Sequence, residues 1–219
     1  MDFTPAFVDL IAKRRADLRA ELRAILPQPR SIILEIGCGH GHFLARYAAE
    51  FPEKLCVGVD LRSDRIDRAL RKAQRARLPN CRFVRSEALE FIQALPEEVD
   101  FEEIWVLFPD PWPKKRHHKN RLLQEGFFEE IASRSLPGTR FYFRTDFSGY
   151  FEQVTAIFPV LKTWQLVDSP IWPLEHETVF QARAVSYLSL VAIRTTHPAK
   201  PTGKVASGLP PPAVPTSVA

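Results

Sequence analysis

Between residues 31 and 194, short apolar runs alternate with segments of helical periodicity, and this alternation constrains the fold more than any other feature. Ser31–Ile36, Leu55–Asp60, Cys81–Arg85, Phe101–Phe108, Thr139–Thr145, Val160–Val167 and Arg183–Arg194 read as strands. The stretches Gly41–Phe51, Arg62–Leu78, Ala88–Leu95, Leu122–Ser135 and Tyr150–Phe158 read as helices. Runs that are apolar at nearly every position belong to strands covered on both faces. Their alternation with helices predicts an α/β fold: a mostly parallel seven-stranded sheet with helices on both faces. Before it, residues 3–26 repeat Phe7, Leu10, Ile11, Leu18, Leu22 and Ile25 at helical spacing, with Arg14, Arg15, Arg19 and Arg23 between them. Pro27 and Pro29 end that helix. From Thr196 the composition turns to Pro, Ala, Ser, Thr and Gly, with too few large apolar groups to offset ordering entropy. The expected organisation is therefore a basic N-terminal helix over 1–29, one main domain over 30–195 and a disordered tail over 196–219.

Composition removes several classes. The 219 residues are 45% hydrophobic and 26% charged, which suits a globular domain with a real core. Cys38, Cys56 and Cys81 stand far apart with no CxxC, against a disulfide framework or a structural zinc site and in keeping with a reducing cytoplasm. The first residues carry their basic groups after the apolar ones, the wrong order for a signal peptide. No apolar run reaches the ~20 residues a membrane helix needs. The formal charge is only +4, yet the basic residues cluster. Nine lie between Arg62 and Arg85 against Asp64 and Asp67, and Lys114, Lys115, Arg116, Lys119 and Arg121 follow one another with no acid between. Local patches of this kind suit a phosphate backbone.

The first strand runs into Glu35-Ile36-Gly37-Cys38-Gly39-His40-Gly41. Glycines at 37, 39 and 41 allow a tight turn and a close backbone approach to a ligand. The spacing is GxGxG, so the GxGxxG pyrophosphate fingerprint is not met. Glu35 would oppose a diphosphate and favours a ligand with a cationic group. S-adenosylmethionine carries a sulfonium and an ammonium and no phosphate. Asp60 closes the second strand about twenty residues on, where a carboxylate can take both hydroxyls of a ribose. Glu87 follows the third strand, at the height of an adenine ring. The fourth strand ends in Phe108-Pro109-Asp110-Pro111-Trp112-Pro113, and alternate prolines predict a stiff, extended segment presenting Asp110 and Trp112.

Glu35-x-Gly-x-Gly-x-Gly, the run FPDPWPKKRHHK over 108–119 and Arg144-Thr145-Asp146 together resemble the bacterial tRNA (guanine-N7-)-methyltransferases. The resemblance implies a Rossmann-like class I methyltransferase fold that uses S-adenosyl-L-methionine. It implies that Glu35, Asp60, Glu87 and Asp110 contact the cofactor, with Asp110 also catalytic. Lys114 and Asp146 would contact the tRNA, and Lys115, Arg116, Lys119 and Arg121 its backbone. The family's Thr-x-x-Glu stretch matches Thr178-Val179-Phe180-Gln181, where glutamine replaces glutamate. A carboxylate accepts from both N1–H and the exocyclic amine of guanine, whereas an amide offers one acceptor and one donor. Asp146 could supply the missing acceptor.

The implied activity is transfer of a methyl group to N7 of a variable-loop guanosine, position 46 in the usual tRNA numbering, in a cytoplasmic enzyme without metal, monomeric or homodimeric. Other readings stay open on the residues alone. One keeps the cofactor and changes the acceptor, against the basic run after Asp110. Another is an RNA-binding homologue weakened by Gln181. An NAD-dependent oxidoreductase fits Glu35 and the GxGxG spacing least. A strip of Arg65, Arg68, Lys72 and Arg75 at helical spacing is as readily a solvated helix face as an RNA contact. Adjacent His117 and His118 point apart and make a poor metal pair.

Overall fold

A computed structural model describes residues 5–26, 30–174 and 184–199. It contains one seven-stranded sheet, built from β1 (Arg30–Ile36), β2 (Cys56–Asp60), β3 (Cys81–Arg85), β4 (Val99–Leu107), β5 (Ser135–Thr145), β6 (Trp164–Leu166) and β7 (Leu188–Arg194). Their order across the sheet is β3-β2-β1-β4-β5-β7-β6. β1 through β5 pair in parallel, while β7 runs antiparallel to both β5 and β6. The helices are α1 (Pro5–Ile25), α2 (His42–Glu50), α3 (Ser63–Arg75), α4 (Ala88–Ala94), α5 (Glu125–Ala132) and α6 (Ser148–Ile157). The predicted α/β class and strand number hold.

Side-chain alternation along β1 feeds two cores. Ile32, Leu34 and Ile36 face one side, packed with Leu18 and Leu22 of α1, Leu26 just after it, Phe91 of α4, Phe128 of α5 and Phe141 and Phe143 of β5. Ile33 faces the other, with Leu44 and Tyr47 of α2, Ile66 and Ala69 of α3, Phe83, Trp105 and Tyr142. Burying each large apolar side chain contributes roughly 1.5–3 kcal/mol, so both faces of the central strands are held firmly. The carboxyl ends of β1, β2 and β4 are thereby fixed relative to one another.

Several boundaries differ from the sequence reading for identifiable reasons. β5 starts at Ser135, before Pro137-Gly138, because the strand jumps register between the Phe101–Ser135 and Glu103–Arg140 pairs instead of ending there. Helix α5 begins at Glu125 because Gln124 remains extended and its side-chain amide donates to the carbonyls of Lys119 and Arg121. Helix α3 stops early: Arg77 takes a left-handed φ of 53° and the Leu78 N–H turns back to the Ala73 carbonyl, closing the helix before Pro79. The basic stretch Lys115–Asn120, assigned to no helix or strand above, forms a short 3-10 helix. Of the expected tail, residues 200–219 lie outside the described residues.

Candidate active site

The parallel register brings the carboxyl ends of β1, β2, β4 and β5 to one edge. Ile36 lies beside both Val59 and Val106, and Leu107 beside Arg144. The residues that follow those strands (the glycine loop, the Asp60 turn, the 108–113 loop and Asp146) therefore emerge together. This is the crevice where ligands bind in open α/β sheets.

The glycine loop is held from below by the Val59 carbonyl, which accepts from Gly37 N at 2.8 Å and Cys38 N at 3.1 Å. Gly41 has to be glycine on two counts. Its φ is 65°, and a Cβ there would lie 2.5 Å from the Phe83 ring. Around Gly37 and Gly39, by contrast, a Cβ would meet nothing within 4 Å. The loop is thus tight against β3 and open above.

Glu35 lies under this opening, 4% exposed, with Oε2 buried and lacking a hydrogen-bond partner among the described residues. Burial raises its carboxyl pKa to about 8, opposed by a hydrogen bond from the Leu44 backbone. A buried acceptor without a donor fits a ligand that brings a cation or an N–H. Asp60, also buried, accepts from Gly39 N at 3.0 Å, Arg62 N at 2.9 Å and Arg65 Nη1 at 3.4 Å. It clamps the glycine loop to the start of α3. Glu87 sits at the end of β3 and caps α4, its Oε2 accepting from Glu90 N at 2.9 Å. Glu35, Asp60 and Glu87, three of the four acids expected to contact the cofactor, reach the same edge.

The 108–113 segment departs from the uniformly extended form expected of it. Phe108 and Trp112 adopt φ of 50° and 43°, so the chain turns sharply at both ends of Pro109-Asp110-Pro111. Left-handed backbone is strained for bulky residues, and such strain concentrates at ligand sites. The Phe108 N–H donates to the Arg144 carbonyl at 2.8 Å, tying the loop to β5. Asp110 is exposed, as are Lys114, Lys115, Arg116 and Lys119. Trp112 is partly covered, its ring edge-on to His117 at 5.7 Å. Asp146 is exposed just after β5.

Arg121 requires a correction. It was expected to grip the RNA backbone with its neighbours, but it is 3% exposed and turned inward, out of reach of a phosphate. Thr178 and Gln181 lie outside the described residues. Their segment is flanked by Trp172 and Tyr187, whose rings lie over the Arg144 guanidinium at 4.0 and 4.6 Å. Sequence reasoning had no signal for this contact, because the three residues are far apart along the chain and meet only in the tertiary structure.

On α3 the basic strip splits. Arg65 turns to Asp60 and Lys72 is partly covered with its Nζ buried, while Arg68, Arg71 and Arg75 are exposed. His40 of the glycine loop is pushed below its usual pKa by burial and then by Arg68, Arg65 and Lys72. Positive potential thus converges beside the crevice. Among the described residues no group of three or more His, Cys, Asp or Glu side chains could hold a metal, and no helix is long and apolar enough to cross a membrane.

This strand order, a glycine loop after β1 and an acid closing β2 define a Rossmann-like class I methyltransferase. The same fold appears in solved structures of the 16S rRNA methyltransferase KamB (TM-score 0.56, 19% identity, 89% of this chain and 95% of that one) and of TrmN from Thermus thermophilus (0.54, 18%, 81% and 48%). Residues 29–187 match a family model described as "Putative methyltransferase". Curated relatives named tRNA (guanine-N(7)-)-methyltransferase include those of Geobacter metallireducens, 37% identical over 64% of this chain and 66% of the relative, and Acidithiobacillus ferrooxidans, 31% over 76% and 73%. A third, from Thiobacillus denitrificans, is 34% identical over 72% of this chain and 67% of its own length. The chain belongs to the tRNA (guanine-N7-)-methyltransferase family. It spans 66% of the length of the Geobacter relative and 58% of that from Nitrosococcus oceani.

Proposed function

We propose that the protein transfers the methyl group of S-adenosylmethionine to N7 of a guanosine in the variable loop of tRNA, acting in the cytoplasm. One observation carries this reading: the orphaned Glu35 carboxylate oxygen beneath an open glycine loop shares a sheet edge with Asp110 and its basic strip. The cofactor, when bound, supplies an electrophilic methyl group on a positively charged sulfur. Glu35 would meet the positive charge of the methionine end. Asp60 would take the ribose hydroxyls, its long contact to Arg65 being the bond most readily displaced. Glu87 would lie toward the adenine.

Guanine N7 has a lone pair and no proton, so its methylation requires no base. What the chain has to supply is in-line placement and charge stabilisation. Positive charge appears on the purine as the methyl group moves. A carboxylate at Asp110 would stabilise that charge by roughly 4 kcal/mol at ~4 Å and an effective dielectric of ~20. Lys114 and Asp146 would orient the nucleotide. Lys115, Arg116 and Lys119 would hold its phosphates, while Thr178 and Gln181 would complete recognition of the base. The three free cysteines suit a reducing compartment.

The test is methyl transfer from S-adenosylmethionine to unmodified tRNA transcripts, read by nucleoside mass spectrometry. 7-Methylguanosine is expected with the native protein, and neither with Asp110→Ala nor with a transcript lacking the variable-loop guanosine. Cofactor binding without transfer to any tRNA would overturn the reading. A Gln181→Glu variant that then restored transfer would locate the fault in base recognition.

A further inference from the structure

Arg121 follows an exposed basic strip yet sends its guanidinium into the protein. Its Nε donates to the Pro111 carbonyl at 2.7 Å, and its Nη1 to the Gly149 carbonyl at 3.2 Å and Gln153 Oε1 at 2.5 Å. Its Cζ lies 4.8 Å from the Tyr150 ring centroid and 5.7 Å from that of Phe147. No carboxylate pairs with it among the described residues. A buried cation without an anion is costly, and in this case only directed hydrogen bonds and ring faces offset that cost.

What those bonds join matters. Pro111 directly follows Asp110, and Gly149 and Gln153 lie in the first turns of α6, directly after Asp146. Above the Phe108–Arg144 hydrogen bond the two segments exchange no backbone hydrogen bond. They leave adjacent strands by separate turns, and the guanidinium bridges the gap. A planar fork with five donors can serve three acceptors in different directions, whereas an ammonium on a flexible stem holds no such fixed geometry.

We propose that Arg121 is a positioning residue for methyl transfer, its guanidinium stapling the Asp110 loop to the start of α6 and so fixing Asp110 relative to Asp146. The proposal rests on the activity argued above. The fold itself has a second tie in the same place, the Leu123 N–H donating to the Tyr150 hydroxyl at 3.0 Å. Loss of the staple therefore loosens the two loops and leaves α6 docked. Glu35, Asp60 and Glu87 belong to other elements and keep their places.

The experiment compares Arg121→Met, Arg121→Lys, Gln153→Met and the Arg121→Met/Gln153→Met double variant. It reads turnover at saturating tRNA and S-adenosylmethionine, cofactor affinity by calorimetry, and amide hydrogen exchange. Arg121→Met is expected to lower kcat about 100-fold, the scale of a small misplacement of reacting groups, with cofactor Kd within about twofold. Gln153→Met cuts only the α6 arm and is expected to lower kcat about tenfold. The double variant should lose nothing beyond Arg121→Met. Arg121→Lys, able to hold the Pro111 carbonyl alone, should fall between Arg121→Met and the native protein. Exchange at the Trp112 and Lys114 amides should rise together with that at Phe147, Ser148 and Gly149.

Turnover within twofold of native in folded Arg121→Met, additive losses, or a cofactor affinity that falls in step with kcat would each overturn the proposal. If Arg121→Met does not fold, Gln153→Met decides, through both its kcat and its exchange pattern. If the native protein methylates no tRNA, the proposed activity fails first. Exchange then judges the staple by itself: a coupled rise in both loops supports it and unchanged rates refute it.

Discussion

Replacing Glu35 with glutamine separates two consequences of its burial, one on stability and one on cofactor binding. The native carboxyl has its pKa raised from 4.5 to about 8, mainly by desolvation. Below about pH 4.5 both folded and unfolded chains hold the proton, and the group costs nothing. As pH rises toward 8, the unfolded chain releases the proton and the folded chain keeps it, so stability falls with pH. At 1.36 kcal/mol per unit the full cost approaches about 5 kcal/mol at pH 8 and above. Water entering the open glycine cradle makes that an upper limit. The Glu35→Gln protein keeps an acceptor for the Leu44 N–H and does not titrate. Its Tm should equal that of the native protein near pH 4.5 and exceed it increasingly toward pH 8. One kcal/mol corresponds to roughly 2–4 °C for a chain of this size, so even a third of the full cost is measurable by calorimetry. Cofactor binding should behave oppositely. A cationic ligand favours ionised Glu35, so the native protein should release about one proton on binding near pH 6.5, where the ligand's own amino group remains charged. Titrations in buffers of different ionisation enthalpy read that proton directly. The glutamine variant should bind more weakly and release none. A Tm gap that stays constant between pH 4.5 and 8, or binding without proton release, would refute the argument from burial.

Asp110→Asn should lower kcat roughly 10²–10³-fold at saturating substrates, because a neutral amide leaves the developing purine cation unopposed; unchanged single-turnover rates would remove its electrostatic role. Changing Arg68, Arg71 and Arg75 together to glutamine should flatten the dependence of log K for tRNA on log salt by roughly 2, with kcat unaltered, if this exposed face of α3 meets three phosphates. An unchanged slope in filter binding would assign the face to solvent. Gly41→Ala combines a backbone at φ 65° with a Cβ 2.5 Å from the Phe83 ring. It should cost on the order of 1–3 kcal/mol in urea unfolding and weaken cofactor binding.

The chain's local patterns were enough for the fold class, since apolar runs buried on both faces of a parallel sheet leave a continuous signature in the sequence. The glycine loop, Asp60 and Asp110 were legible for a related reason. Each stands at a strand end, and strand ends in such a sheet form one edge whatever the packing details. Element boundaries were less legible where long-range contacts set them, as where Gln124 bonds back to two carbonyls or the β5 bulge carries the strand past Pro137.

Side-chain direction was not legible at all in the basic segments. Composition made Lys119 and Arg121 equivalent, two cations in one run. Tertiary structure exposes one and buries the other, because only Arg121 finds two carbonyls, an amide and a ring face converging from segments 10 to 32 residues away. In the same way Arg65 turns to Asp60 while Arg68, one helical turn on, faces outward. By itself the sequence determined the sheet, the edge that bears the site and the types of residue placed there. Tertiary structure alone decided which charges face a ligand and which hold the site together, because a buried charge is tolerated only where partners from distant segments meet it.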